Sequence, residues 1–191
     1  MSIISELNRS GVWFEIAGEA EEIRSDDEYG GLRFKIIGHL ANIRIPFDVD
    51  VATGDPVYPA PFNEKYQTIL GDKYDLKFYP IESVLSEKLH TILARAENNS
   101  RSKDYYDIYT ILNKQIENIN FEDLKIAVLL TFKYRKTNIS KDRAIEIINL
   151  IKNNEAIRDR WNRYQNKNPY TKGIDFDLVI DVIYKLIEYV M

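Results

Sequence analysis

The stretch that decides the fold is residues 79–112, YPIESVLSEKLHTILARAENNSRSKDYYDIYTIL. Its first half has apolar residues three and four positions apart, the spacing of one buried stripe on a helix. These residues are Ile81, Val84, Leu85, Leu89, Ile92 and Leu93. Pro80 stands where such a helix can begin, and Asn98-Asn99-Ser100 has the composition of a turn. Because helical spacing resumes after the turn, the sequence predicts a helix–turn–helix.

Charged side chains are concentrated around this helix–turn–helix. Lys88 lies on the first helix, and Arg101, Lys103, Asp104 and Asp107 follow the turn. Asp104 and Asp107 are three positions apart, so they share one face of the second helix's first turn. Acidic residues at that place also complement the helix dipole, at about 0.3–1 kcal/mol each. A purely structural role for both carboxylates therefore stays open.

Length and composition limit the class of protein. The chain has 191 residues, a formal net charge of −4 and no cysteine. That length fits one domain, or one domain in two lobes, and the lack of cysteine excludes disulfides and thiolate metal sites. No apolar run reaches the roughly 18 residues of a membrane span, and residues 1–20 lack a signal-peptide core. We therefore expect a cytoplasmic protein without a membrane segment.

The charge is distributed unevenly along the chain. Residues 125–172 contain 12 basic and 4 acidic side chains, whereas residues 1–60 contain 5 basic and 11 acidic ones. A basic segment inside an acidic chain can form a surface that faces phosphates. A solvated helix face explains the same composition equally well.

The first 80 residues show the alternation that is typical of strands. The segments that read as strands are 12–23, 32–40, 44–52 and 74–79, whereas residues 62–73 are ambiguous. Side chains alternate along a strand, so Asp48 and Asp50 share one face of the third of these segments. Two carboxylates on one face can meet a single cation, which binds oxygen ligands at about 2.0–2.6 Å.

The chain beyond residue 112 is helical in character. Asn120, Ser140 and Asp175 are candidate N-caps of three further helices, and the last helix has a long apolar stripe. We therefore predict an α+β fold, with a small, mostly antiparallel sheet lobe at residues 1–79 and a helical lobe at residues 80–191.

The two motifs of the opening stretch together resemble a known family. YPIESVLSEKL and SRSKDYYDIY look like the signature of the AbiEii/AbiGii toxins, nucleotidyltransferase-like proteins of bacterial type IV toxin–antitoxin and abortive-infection systems. The resemblance extends upstream through YGGLR at residues 29–33, FDVDV at residues 47–51 and Gly54-Asp55. It continues more weakly downstream to Trp161, so it covers most of the chain.

The resemblance implies a magnesium-dependent transfer of a nucleotide from a nucleoside triphosphate to an RNA or protein hydroxyl. Asp50 matches the third acidic position of the family's site, where it helps the metal and activates the hydroxyl. Asp48 is a candidate metal ligand only because it lies beside Asp50. Lys88 is expected to contact the triphosphate, and Asp104 to complete the catalytic site.

Other residues are expected to bind substrates. Arg101, Lys103 and Asp107 are candidates for contacts with the nucleotide, and Tyr105, Tyr106 and Tyr109 could stack a base. The family also implies a cognate antitoxin protein and a tRNA acceptor, for which the basic segment 125–172 is the candidate surface.

One departure from the family pattern is large. Relatives place a Gly-Gly or Gly-Ser turn and a metal-binding Asp-x-Asp before the part matched here, and this sequence starts after that point. The alternative hypothesis is therefore an inactive module of this fold that binds a partner protein or a nucleic acid. A further possibility is that Gly30-Gly31 with Asp48 and Asp50 is the motif itself. That possibility requires a helix after the glycines, so that backbone N–H groups can bind phosphate.

Overall fold

The computed structural model describes residues 11–23, 31–52 and 54–191. Over these residues the chain has antiparallel strands followed by helices, which confirms the predicted α+β class. The strands are β1 Val12–Ile16, β2 Glu21–Ile23, β3 Gly31–Leu40, β4 Ile43–Ala52, β5 Phe62–Gln67 and β6 Lys73–Phe78. The α-helices are α1 Ile81–Arg95, α2 Ser102–Lys114, α3 Phe121–Tyr134, α4 Lys141–Lys152, α5 Glu155–Lys167 and α6 Phe176–Val190. The chain forms two compact units, Met1–Asp55 and Pro56–Met191.

The sheet of the first unit is organised around β3. One edge of β3 pairs with β4 along its whole length, from Gly31 opposite Ala52 to Leu40 opposite Ile43. The other edge of β3 pairs with β1 and then with β2. The register of the β2 pairing is shifted by two residues from that of the β1 pairing. The predicted strand at residues 12–23 is therefore interrupted, and Gly18 takes a positive φ of 86° within the interruption.

This sheet has one apolar and one polar face, because side chains alternate along every strand. The apolar face carries the odd-numbered residues of β4, from Ile43 to Val51, which lie next to Phe34 and Ile36 of β3. The polar face brings Arg33 opposite Asp50 and Lys35 opposite Asp48. Asp48 and Asp50 share a face, as predicted.

Gly31 begins β3 and lies close to neighbouring backbone. A Cβ at this position would come 3.1 Å from the carbonyl oxygen of Val51 and 3.0 Å from Cγ1 of Ile23. Since Gly31 opens a strand, the helix required for a phosphate-binding turn at Gly30-Gly31 is absent from residues 31–52, and that possibility is wrong. Tyr29 and Gly30 lie outside the described residues.

The second unit begins with a hairpin and continues into the helices. β5 and β6 pair from Phe62 opposite Phe78 to Gln67 opposite Lys73. Both strands are exposed along nearly their whole length, and β6 leads directly into Pro80 and α1. The ambiguous segment at residues 62–73 thus contains β5 and the turn of this hairpin.

The core of the second unit surrounds α1. Leu85, Leu89 and Ile92 are fully buried, and α1 packs against both α2 and α3. The predicted caps are confirmed, because the side chains of Asn120, Ser140 and Asp175 accept backbone N–H groups of α3, α4 and α6. Among the described residues, every helix is too short or too polar to cross a membrane.

Candidate functional site

Lys88 lies at the border of the buried face of α1. Leu85, Leu89 and Ile92 turn towards the core, whereas the Lys88 side chain retains 19% of its exposure. The turn at Asn98–Ser100 then reverses the chain, and the Asn99 side chain accepts the backbone N–H of Arg101 at 3.0 Å. This turn brings the first turn of α2 alongside Lys88.

The ammonium group of Lys88 lies between two carboxylates of α2. Its Nζ is 3.1 Å from Oδ1 of Asp104 and 2.6 Å from Oδ2 of Asp107. Nε of Arg101 is 3.0 Å from Oδ2 of Asp104. We call these four residues the Lys88 cluster. Four predicted site residues are therefore in mutual contact within the second unit.

Burial differs strongly among the members of the Lys88 cluster. The Asp104 side chain is 2% exposed, Asp107 is 20% exposed and Arg101 is 52% exposed. Oδ2 of Asp104 is buried and accepts no directed hydrogen bond, although Arg101 lies within ion-pair distance. A buried carboxylate of this kind depends on nearby cations for its stability. Asp104 is thus the fixed anchor, while Arg101 lies at the rim, where its guanidinium can reorient.

The remaining candidates on α2 have different environments. Lys103 is exposed and forms no ion pair with the described residues. Tyr105 is 1% exposed and packs edge-on against Phe176, so the expectation that it stacks a base is wrong. Burial raises the pKa of Tyr105 to about 12, chiefly by desolvation. Tyr106 and Tyr109 are half-buried, and a stacking role for them stays a prediction.

An aromatic cluster next to Asp107 was not identified from the sequence. The Tyr106 ring lies 6.3 Å from that of Tyr164 and 5.2 Å from that of Tyr170, between centroids. The hydroxyls of Tyr164 and Tyr170 are 3.1 Å apart. Burial raises the pKa of the Tyr164 hydroxyl. The hydrogen bond to Tyr170 raises this pKa further, and so does the nearby charge of Asp107. Exposed Tyr170 makes the cluster accessible from solvent.

A second group of contacts beyond the predicted residues involves Arg135 of α3. Its guanidinium lies 3.7 Å from Oε2 of Glu87 and 3.2 Å from Nδ1 of His90. Since arginine can only donate, Nδ1 of His90 is an acceptor, and its Nε2–H donates to Thr137 at 2.8 Å. Glu87 also accepts from the Tyr79 hydroxyl. No local pattern links these residues, because Arg135 is far from Glu87 in sequence.

The two acidic candidates of the first unit are held by an arginine. Arg33 of β3 donates from Nε and Nη2 to the two carboxylate oxygens of Asp50, at 2.7 and 2.8 Å. Its Nε is also 3.9 Å from Oδ2 of Asp48. Asp50 in turn raises the pKa of Arg33. The hairpin places Arg33 opposite Asp50, so a register counted back from the two-residue turn would have identified this partner.

The donor chemistry of Asp48 and Asp50 fits a hard divalent cation, although the set is small. Carboxylate oxygens are the ligands that Mg²⁺ prefers, with water and substrate phosphates completing its shell. Across residues 11–23, 31–52 and 54–191, no three His, Asp or Glu side chains are grouped to hold a metal ion. Arg33 occupies both oxygens of Asp50, so a cation at Asp50 requires that guanidinium to move.

A comparison with protein families gives a match over most of the chain. Residues 2–182 match the family described as nucleotidyl transferase AbiEii toxin, type IV TA system. No curated protein and no solved structure matched the chain. The matched range contains the Lys88 cluster as well as Arg33, Asp48 and Asp50.

Proposed function

This chain belongs to the AbiEii nucleotidyl transferase toxin family of type IV toxin–antitoxin systems, and from that membership we propose that it transfers a nucleotide from a nucleoside triphosphate to an RNA or protein hydroxyl. The observation that carries the proposal is the Lys88 cluster. A lysine fixed by two carboxylates at the border of a buried helix face is a positioned cation. Nucleotidyl transfer depends mainly on such positioning and on charge neutralisation.

Lys88 and Arg101 are the proposed triphosphate ligands. Asp104 anchors Nζ of Lys88 from the buried side, while the more exposed Asp107 gives way to a phosphate oxygen. Arg101 can turn from Asp104 to a second phosphate because its side chain is half-exposed. Lys103 adds a charge that no described carboxylate neutralises. The site thus exchanges internal ion pairs for phosphate contacts.

Asp50 is the proposed base for the acceptor hydroxyl. The hydroxyl oxygen forms a bond to the α-phosphorus. The bond between that phosphorus and the oxygen bridging the α- and β-phosphates breaks, and pyrophosphate leaves. The hydroxyl proton passes to a carboxylate oxygen of Asp50 and then to solvent. Asp48 and Asp50 would hold Mg²⁺, which neutralises the developing charge when it is bound. Arg33 must first release Asp50, which its partial exposure permits.

The acceptor is proposed to be an RNA, bound beside the Lys88 cluster. Tyr106, Tyr164 and Tyr170 offer aromatic rings next to Asp107, and bases stack on such rings. Arg163 and Lys167 of α5 are exposed and unpaired within the described chain, so they can contact phosphates. The family description also implies a cognate antitoxin.

The test is calorimetric titration with each nucleoside triphosphate in the presence of Mg²⁺, followed by transfer of labelled nucleotide to total RNA. Lys88→Gln and Arg101→Ala should each weaken binding by about tenfold or more, since each loses a charged phosphate contact. Lys114→Ala at the end of α2 is the matched control, because it removes an exposed cation from outside the cluster. Equal affinity for triphosphate in Lys88→Gln, Arg101→Ala and the natural chain would overturn the proposal.

A second candidate function is an inactive module that binds a partner protein or nucleic acid. The bidentate Arg33–Asp50 pair favours it, because a carboxylate engaged in this way has a structural role within the sheet. Triphosphate binding without any nucleotide transfer to RNA or protein would support this candidate over the enzyme.

A further inference from the structure

A groove of about 700 Å³ lies in the second unit, between α3, the loop at residues 136–140 and the end of α6. Its volume lies within the range of roughly 300–1,000 Å³ that is usual for ligand sites. The Lys88 cluster and the tyrosines beside it are not among its lining residues. The groove is therefore a feature separate from the proposed nucleotide site.

The floor of the groove is apolar. Val128, Leu129 and Phe132 of α3 line it, together with Ile139 of the loop and Val190 of α6. Leu129 is 67% exposed, whereas Phe132 is 7% exposed and packs edge-on against His90. The floor thus offers aliphatic surface and lacks an accessible aromatic face. An accessible face is what a nucleobase would need for stacking.

The rim of the groove is cationic. Lys125, Lys133, Lys136 and Lys141 line it, in a chain whose net charge is −4. Two of these lysines already hold carboxylates, since Lys125 lies 2.8 Å from Glu122 and Lys141 lies 2.8 Å from Glu188.

One lysine of the rim is left without a carboxylate partner among the described residues. Lys133 is exposed and forms no ion pair with any residue in the described part of the chain. A ligand that carries carboxylates would reproduce the contacts that Glu122 and Glu188 already make. It would also supply a partner for Lys133.

We propose that this lysine-rimmed groove binds an acidic, amphipathic peptide segment of a partner protein. Apolar side chains of the segment lie on Leu129 and its neighbours, and its carboxylates reach the lysines. This is the helix-in-groove mode of recognition, in which apolar anchors recur three and four positions apart. RNA fits less well, because its backbone would place charged phosphate oxygens against apolar Leu129, where they lose water without gaining a partner. The inference does not depend on the proposed transferase activity.

The test uses fluorescence anisotropy with the full chain and a short labelled peptide of leucine and glutamate. Its leucines are three and four positions apart, which gives one apolar face in a helix. Two competitors are compared: a scrambled peptide of the same composition, and an oligouridylate of equal formal charge. The patterned peptide should bind at least about tenfold more tightly than either competitor, because only it matches both floor and rim.

Two substitutions and two matched controls locate the binding site. Leu129→Asp and Lys133→Glu should each weaken peptide binding by about tenfold or more. Leu178→Asp and Lys114→Glu make the same changes at exposed positions outside the groove, and should alter binding by less than about twofold. Because Leu129 and Lys133 are both exposed, their substitutions should not disturb the fold. Urea midpoints equal to that of the natural chain would exclude misfolding of the variants.

Three outcomes would overturn the proposal. One is equal binding of patterned and scrambled peptides. A second is preferential binding of the oligouridylate that is lost in Lys133→Glu and retained in Leu129→Asp, which would assign the groove to nucleic acid. A third is a dimer in sedimentation that Leu129→Asp dissociates, which would assign the groove to a second copy of this chain.

Discussion

Nζ of Lys88 lies 2.6 Å from Oδ2 of Asp107, although the two residues belong to different helices. The same ammonium lies 3.1 Å from Oδ1 of Asp104. One cation thus links α1 to two carboxylates of α2, and the more buried carboxylate depends on it. This relationship makes the cluster a stability element as well as a candidate binding site, and the two roles can be separated.

Replacing Lys88 by methionine should destabilise the chain by roughly 2–4 kcal/mol, because Asp104 would stay buried with Arg101 as its nearest cation. Urea unfolding at neutral pH measures this loss.

Adding Asp104→Asn to Lys88→Met removes the buried charge that has lost Lys88 and should recover part of the stability, which gives a coupling free energy. Lys103→Met is the control, and we expect a change within about 0.5 kcal/mol because Lys103 is exposed and unpaired in the described chain. Additive effects of the two cluster substitutions would contradict the dependence of Asp104 on Lys88.

A base role for Asp50 can be distinguished from its ion pair with Arg33. Asp50→Asn and Arg33→Gln remove the same exposed pair, and exposed ion pairs contribute little to stability, so each should leave the urea midpoint almost unchanged. Only Asp50→Asn removes the proposed base, and general-base contributions are about 10²–10⁴-fold. We therefore expect a loss of that order in nucleotide transfer for Asp50→Asn, with transfer retained in Arg33→Gln. Equal losses in both variants would assign Asp50 a structural role.

Burial of Tyr105 predicts a loss of stability in alkali. Its pKa is raised to about 12 in the folded chain, chiefly by desolvation, against about 10 in an unfolded one. The folded state therefore favours the neutral phenol. The resulting stabilisation is present below pH 10, and it is lost as the pH rises towards 12.

Tyr105→Phe should accordingly flatten the fall in urea midpoint between pH 10 and about pH 12. Its cost at neutral pH should be small, because the Tyr105 hydroxyl makes no directed hydrogen bond. Tyr74→Phe is the matched control, since Tyr74 is exposed. Identical alkaline profiles for Tyr105→Phe and the natural chain would contradict the prediction.

The sequence predicted the helices well because their signals are local. Apolar spacing in α1 and the caps Asn120, Ser140 and Asp175 depend only on residues within one or two turns. β5 was harder to identify, because its hairpin is exposed and its alternation therefore has no buried face to mark it. The interruption between β1 and β2 was also missed, because the register shift depends on how β3 pairs with both.

The candidate site was predictable to the extent that its contacts are local or carried by the family motif. The Arg101–Asp104 pair spans three positions, and Lys88 with Asp104 belongs to the motif. Arg33 opposite Asp50 could have been found by counting from the hairpin turn. The contact of Arg135 with Glu87 could not, because it depends on how α3 packs against α1.

Glu82 provides the last prediction, because it connects the starts of two helices. Its side chain is buried in the first turn of α1, and Oε1 accepts the backbone N–H of Asn120 at 2.9 Å. Asn120 in turn caps α3. Glu82→Ala leaves that N–H without its acceptor, and loss of a hydrogen bond to a charged group costs about 1.5–3 kcal/mol.

Glu82→Gln keeps an acceptor oxygen and loses the charge, so its cost should be nearer 1 kcal/mol, the scale of the helix-dipole contribution. Urea unfolding ranks the two variants, and amide exchange at Asn120 locates the effect. Glu117→Ala is the control, because Glu117 is exposed and its side chain has no partner among the described residues. If Glu82→Ala and Glu82→Gln were equally stable, the hydrogen bond to Asn120 would contribute nothing measurable, and the start of α3 would be held by its own cap alone.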